Sequence, residues 1–248
     1  MKIAFLIPCT SNNRNWKHVT ESYFYNLTFT TFLLTQDPEH EYYFYLGIDN
    51  DDILFNNKKE QAFLCNLNNF FKNIHIQIVV LNSRKGHLTK MWNELFKLAY
   101  FENCEYFYQC GDDINFRTKG WVNDSIKILK DHNDIGLTGP TNNNNNILTQ
   151  AFVSRTHMKI FGSFFPENII NWGCDDWYNI VYSPKFYFQL SNHYSENMGG
   201  KPRYAINDNV NFYDNYKNNI EKLRQNCAFQ AVLDRDKIIN YIKNSVSK

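Results

Sequence analysis

Four short apolar runs constrain what this chain can fold into more than any other feature. They occupy residues 2–10, 42–48, 74–81 and the aromatic start of 105–114, and apart from His75 and Gln77 in the third they carry almost no polar alternation. Unbroken apolar runs of this length mark strands buried on both faces, as in a parallel sheet. Between them lie segments with helical spacing: 18–35, where Val19, Tyr23, Leu27, Phe29 and Phe32 share a broad face, then 58–72 and 88–100. Asp37-Pro38 closes the first of these. Strand and helix in this alternation predict an α/β fold with a Rossmann-like, doubly wound, mostly parallel central sheet flanked by helices. Ligands of such sheets bind beyond the carboxyl ends of the strands. The loops at Thr10, Asp49 and Asp112 are therefore expected along one edge, forming a nucleotide-sized crevice.

The fourth run carries the chemistry. Tyr106-Phe107-Tyr108-Gln109-Cys110 leads into Gly111 and then two adjacent carboxylates, Asp112 and Asp113. Gly lets the backbone turn sharply or approach a ligand. Two carboxylates about 4–6 Å apart repel each other by roughly 1–4 kcal/mol, depending on the effective dielectric. A divalent cation turns that repulsion into attraction, and hard oxygen donors suit magnesium or manganese. A solvated turn is the plainer alternative, since Asp and Gly are turn formers.

The second half is less regular. A helix is expected over 119–132, short strands over 135–140 and 149–153, and an exposed low-complexity loop over Asn142 to Asn146. Trp172-Gly173-Cys174-Asp175-Asp176 reads as a turn opening a helix with two Asp in its first turn. Carboxylates there are favoured by the helix dipole, so simple capping is the alternative to chemistry. A strand over 187–190 ends near His193. The segment 196–204 then combines paired glycines with Lys201 and Arg203, a combination suited to a lid over a phosphate or to an ordinary surface loop. Residues 212–243 read as terminal helices without chemistry of their own.

Composition closes off other classes. The chain has 248 residues and a formal net charge of +1, with no basic stripe to hold nucleic acid. Six scattered cysteines lack a Cys-x-x-Cys pair, which disfavours zinc and a disulfide framework and fits a reducing, cytoplasmic setting. The apolar run from Ile3 to Ile7, stopped by Pro8, is too short for a signal-peptide core or a membrane span. The excess of Phe, Tyr and Asn points to an AT-rich genome, that of a virus or of its host, and it devalues chance glycosylation triplets such as Asn26-Leu27-Thr28. The Asp49-Asn50-Asp51 run fails as a calcium loop, because Ile53 and Leu54 stand where an oxygen ligand and Gly are needed. Gly111-Asp112-Asp113 is also shared with the metal turn of template-dependent polymerases, which need a larger chain and a basic channel. No phosphate-loop, dinucleotide or Gly-x-Ser-x-Gly motif is present.

Across residues 2–205 the ordered set of motifs resembles GT-A-fold glycosyltransferases, close to the family-two group that uses nucleotide sugars. Ile7-Pro8-Cys9-Thr10 is similar to the opening nucleotide loop, and Asp49 sits where an acidic residue contacts the uracil or ribose. Residues 86–93, with Lys90 and Asn93, resemble the helix start that lines the nucleotide site. Cys110-Gly111-Asp112-Asp113 occupies the Asp-x-Asp position, with Cys110 replacing the first Asp. Asp112 and Asp113 would then carry the metal, with Asp113 the direct ligand, and His193 resembles the downstream His that completes the metal shell.

Trp172-Gly173-Cys174-Asp175-Asp176 looks like the acceptor motif Trp-Gly-Gly-Glu-Asp, with Asp175 replacing Glu. The resemblance implies a catalytic domain over 1–210, with a nucleotide half to about 115, an acceptor half beyond it, and C-terminal helices packed on the same domain. It implies Asp176 as base, Asp175 as acceptor-orienting group, and Lys201 and Arg203 against the diphosphate. Trp172, Trp177 and Tyr178 offer faces for a sugar ring or for the core. A UDP-sugar donor, Mn2+ or Mg2+, and a glycan, protein or lipid-linked acceptor follow, with no nucleic acid and no membrane span. The alternative is a nucleotide- or carbohydrate-binding protein that kept the fold and lost turnover.

Overall fold

The computed structural model describes residues 1–83, 85–144, 146–199 and 216–246. Its centre is β1 (Lys2–Cys9), whose side chains alternate between two apolar layers. Ile3, Phe5 and Ile7 enter one core, and Ala4 and Leu6 enter the other. A strand buried on both faces has no polar positions to spare, which explains the unbroken apolar run.

Around β1 the strands β2 (Glu41–Ile48), β3 (Ile74–Val80) and β4 (Tyr106–Gln109) run parallel, in the order β3-β2-β1-β4. Their carboxyl ends therefore share one edge. The sheet continues through β7 (Ala151–Ser154), β6 (Leu137–Thr141), β8 (Tyr187–Asn197) and β5 (Ile114–Phe116). Here β7 is antiparallel to β4 and to β6, β6 is parallel to β8, and β5 is antiparallel to β8. The sheet is thus mixed on this side. The strand expected over 187–190 extends to Asn197, because its far half pairs with β5.

Helices cover both faces. On one lie α1 (Thr30–Thr35), α2 (Lys58–Asn66) and α4 (Trp121–Asp131); on the other lie α3 (Leu88–Phe101), α5 (Thr156–Phe161), α6 (Cys174–Tyr182) and α7 (Tyr216–Val246). No helix among the described residues is long and apolar enough to cross a membrane.

Two helical expectations need correction. The segment 18–35 is not one helix: a 3-10 turn at Val19–Glu21 and a π-helix at Phe24–Phe29 precede α1. The irregular turns aim threonines at β5, where Ile114 N–H donates to Thr28 Oγ1 at 2.9 Å and Phe116 N–H to Thr31 Oγ1 at 3.0 Å. Edge-strand donors gain partners, and the loop carrying Asp112 and Asp113 is fixed at its far end. The second correction is that the C-terminal part forms one helix of 31 residues, packed along α6.

Candidate functional site

At the carboxyl edge the loop after β1 is tied to the loop after β2 through one carboxylate, Asp52. Its oxygens accept from Thr10 Oγ1 (3.1 Å), Ser11 N–H (2.7 Å), Ser11 Oγ (2.8 Å), Leu54 N–H (3.1 Å) and Phe55 N–H (2.8 Å). A carboxylate has about four lone-pair sites, so this group is saturated. Sequence reading passed over Asp52 as part of a failed calcium loop. The signal available was an Asp whose side chain can bond amides two and three residues onward, the Asx habit of turn carboxylates.

Several residues expected at the nucleotide have other duties. Thr10 is buried, and its hydroxyl donates to Asp52 while accepting from Asn12 N–H at 3.1 Å. Pro8 lies inside β1, in register with Gly47, rather than in the loop. Asn93 pairs with the backbone of Phe165 in both directions, its Nδ2 donating to the carbonyl at 2.9 Å and its Oδ1 accepting from the N–H at 2.8 Å. Lys90 is exposed on the first turn of α3, and Asp49 is buried beside the Asp52 turn, its carbonyl accepting from Asp52 N–H at 3.2 Å.

Asp112 and Asp113 follow β4 and are both buried. Backbone closes tightly on Asp113: a Cβ on Gly111 or on Gly199 would overlap its carboxylate. Met198 N–H donates to Asp113 O at 2.9 Å, and Arg14 Nη2 reaches Gly199 O at 3.3 Å, so the end of β8 is drawn over the pair. Cys110 is fully buried in the core, and burial pushes its thiol well above the ordinary range, with the neighbouring Asp113 and Asp112 adding to the rise. It packs as a neutral thiol and is no donor for a hard cation.

His193 has polar partners within the protein. Its Nε2 lies 2.8 Å from Asp124 Oδ2 and its Nδ1 3.3 Å from Thr118 Oγ1, so both ring nitrogens serve the start of α4. Among the described residues no group of three or more His, Cys, Asp or Glu side chains stands where it could hold a metal ion. The chemistry of the donor set still fits magnesium or manganese. Such ions are bound through one or two carboxylates, with phosphate oxygens and water completing the shell.

The segment 172–176 folds as the turn and helix start that its sequence predicts, with Gly173 in the left-handed region (φ 83°) and α6 beginning at Cys174. Asp175 is pushed up to about 6, first by burial and then by Asp176; the Cys174 thiol, donating at 3.1 Å, acts in the opposite direction. Asp176 is also raised by burial, while Arg224 on α7, at 3.5 Å from Nε to Oδ2, pulls it back. Trp177 and Tyr178 are fully buried, so they serve the core rather than stack on a sugar.

That core joins the two acidic pairs. The Trp92 indole N–H is shared between the carbonyls of Leu6 and Cys110, both at 3.2 Å. Trp92 contacts Phe165 (ring centroids 5.5 Å) and Phe165 contacts Tyr178 (5.7 Å), three residues after Asp175 on α6. An aromatic wall thus links the end of β4 to the first turn of α6, and Asn93 pins its middle member. Neither Trp92 nor Phe165 was singled out from sequence; only their aromatic character was visible.

No family model and no curated protein matches the sequence. Among solved structures, S. aureus TarS 1–349 in complex with UDP-GlcNAc matches with a TM-score of 0.54 at 15% identity, over 82% of this chain and 60% of that one. The mannosyltransferase PcManGT from Pyrobaculum calidifontis, in complex with GDP-Man and Mn2+, matches with a TM-score of 0.54 at 11% identity, over 78% and 56%. The chain has a GT-A fold. It spans about 60% of the length of the TarS fragment. At such identity the likeness is one of architecture, and the GT-A sheet edge is where Asp112, Asp113 and the Asp52 hub lie.

Proposed function

We propose that this GT-A chain is a glycosyltransferase, a hexosyltransferase that moves a sugar from a nucleoside-diphosphate donor, UDP-sugar favoured, to an acceptor hydroxyl with inversion. The observation that carries the reading is the joining of two acidic pairs, Asp112/Asp113 and Asp175/Asp176, by the wall of Trp92, Phe165 and Tyr178. Neighbours of the same fold bound to UDP-GlcNAc and to GDP-Man with Mn2+ support the donor class. Residues 1–115 form the nucleotide half in this reading, and 116–210 the acceptor half, with α7 packed on it.

The acceptor oxygen attacks the anomeric carbon as the bond from that carbon to the diphosphate breaks, its electron pair staying on the diphosphate. Asp176, by its place in the motif, takes the hydroxyl proton. Asp175 accepts a hydrogen bond from the acceptor and aligns it. Asp113 and Asp112 would hold the magnesium or manganese ion, which supplies stabilisation of the charge growing on the leaving group. Lys201 and Arg203 are proposed to add positive charge at the diphosphate; both lie outside the described residues. The acceptor class is a glycan, a protein or a lipid-linked saccharide.

One observation favours a second reading, a binding protein without turnover: the buried Cys110 removes one carboxylate from the Asp-x-Asp position. Incubation with UDP- and GDP-sugars, with and without manganese, separates the two by release of the nucleoside diphosphate. Thermal stabilisation by a donor without release in any reaction establishes the binding protein. Release that survives Asp176→Asn removes that residue as base.

A further inference from the structure

The C-terminal helix reaches the acidic pair that opens α6. Its buried stripe is Cys227, Ala231, Asp234 and Ile238, at helical spacing, and Arg224 lies one turn before it. Three contacts fix the register of α7 on α6. Cys227 abuts Gly173 so closely that a Cβ there would lie 2.9 Å from its sulfur. Asp234 accepts from the Trp177 indole at 2.9 Å, and the Arg235 guanidinium donates to the Ile180 carbonyl at 2.8 Å and 3.2 Å. A helix pinned at both ends of α6 delivers Arg224 to Asp176, where Nε stands 3.5 Å from Oδ2. The guanidinium is half exposed and Asp176 largely shielded, with side-chain exposures of 52% and 24%.

We propose, on the reading of Asp176 as base, that Arg224 is a positioning residue of the acceptor site: it fixes the rotamer of Asp176 and keeps it ionised. Burial of Asp176 and the like charge of Glu221 both disfavour its ionised form, and Arg224 opposes them. The groups facing the pair are Cys174 and Tyr178 on α6 and Glu221, Arg224 and Cys227 on α7. Among the described residues Arg224 is the cation that these groups include. The helix that sequence reading left without chemistry thus belongs to the catalytic unit.

The test compares Arg224→Ala and Arg224→Lys with the parent in two measurements. The first is carboxyl 13C titration of Asp175 and Asp176; the second is rate against pH with the best donor. Removing the cation is expected to raise the Asp176 midpoint by about 0.5–1 pH unit and to move the acidic limb of kcat upward by the same amount. kcat should fall about tenfold while the donor KM stays within about twofold, because orientation of the base rather than donor binding is lost. Arg224→Lys should restore the midpoint more fully than kcat, since a point charge replaces a planar fork. An Asp176 midpoint unchanged in Arg224→Ala overturns the proposal, and so does a lower Tm with an unmoved acidic limb. The titration reads the pair whether or not sugar is transferred, so a protein inactive with every donor refutes the proposed function and leaves the coupling to be judged by the carboxyl shifts.

Discussion

Replacing Asp52 with Ala should unfasten the crevice. The carboxylate accepts from three backbone amides, those of Ser11, Leu54 and Phe55, and from the hydroxyls of Thr10 and Ser11. The hydroxyls can rotate toward other acceptors; the amides cannot. An unsatisfied buried donor costs about 1–3 kcal/mol, so three of them bound the loss at roughly 3–9 kcal/mol. Ser11 is only half-buried and water can reach it, which brings the expectation to the lower part, about 3–5 kcal/mol. In a domain of this size each kcal/mol moves Tm by about 2–4 °C, so a fall of about 6–20 °C is expected. Asp52→Asn keeps one acceptor oxygen and should lose about half as much. Thermal and urea unfolding read the stability, and calorimetric titration with UDP reads the crevice, where affinity should fall in both variants. An Asp52→Ala protein within 2 °C of the parent would mean the five bonds merely replace equivalent bonds to water, and the hub would be refuted.

Asp113→Asn is expected to abolish manganese-dependent binding of the nucleoside diphosphate in calorimetry, and an unchanged affinity removes the metal assignment. Gly173→Ala places a Cβ at a positive φ and 2.9 Å from the Cys227 sulfur, which should cost about 2–4 kcal/mol, part of it recovered by adding Cys227→Ala; unfolding at the parental urea midpoint would contradict the packing of α7 on this turn. Asp175 has a folded pKa raised to about 6, so its contribution to stability is complete at pH values below the ordinary carboxylate range and is lost as pH rises through 6. Asp175→Asn should therefore raise Tm relative to the parent at pH 8 and not at pH 4, and an equal effect at both would disprove the raised pKa. Cys110→Asp, which rebuilds the Asp-x-Asp spacing, should lower Tm by 10 °C or about that, because it buries a third charge beside Asp112 and Asp113; a stable variant binding manganese more tightly would show the opposite.

The strands β1, β2 and β4 were legible because they are buried on both faces and carry no competing pattern. The π-helix was not, since its cause lies in Thr28 and Thr31 serving β5 some 85 residues away. α7 was read as chemically silent because its buried stripe includes Asp234, whose partner is Trp177, 57 residues earlier. The same limit governs the site. The acidic pairs announce themselves as neighbours in sequence, but Thr10, Asn93 and His193 were assigned to ligands although their partners are Asp52, Phe165 and Asp124. A polar side chain read alone looks available; only its long-range partner shows that it is spent.

That distinction bears on how few groups the site leaves for chemistry. Thr10, Asp52, Asn93 and His193 use their polar atoms to hold loops, and Trp92 and Phe165 use their rings to join β4 to α6. A site built this way fixes its geometry before any ligand arrives, which is where preorganised electrostatics gains its advantage. Cys110 fits the same logic. Its carbonyl accepts from Trp92 and its neutral thiol fills the core, so the strand end is anchored by packing where a carboxylate would need desolvation and a partner. On the proposed function the charge needed at the crevice is concentrated in Asp112 and Asp113, and Gly111 and Gly199 let the backbone close on the second of them, where an added Cβ would overlap its carboxylate.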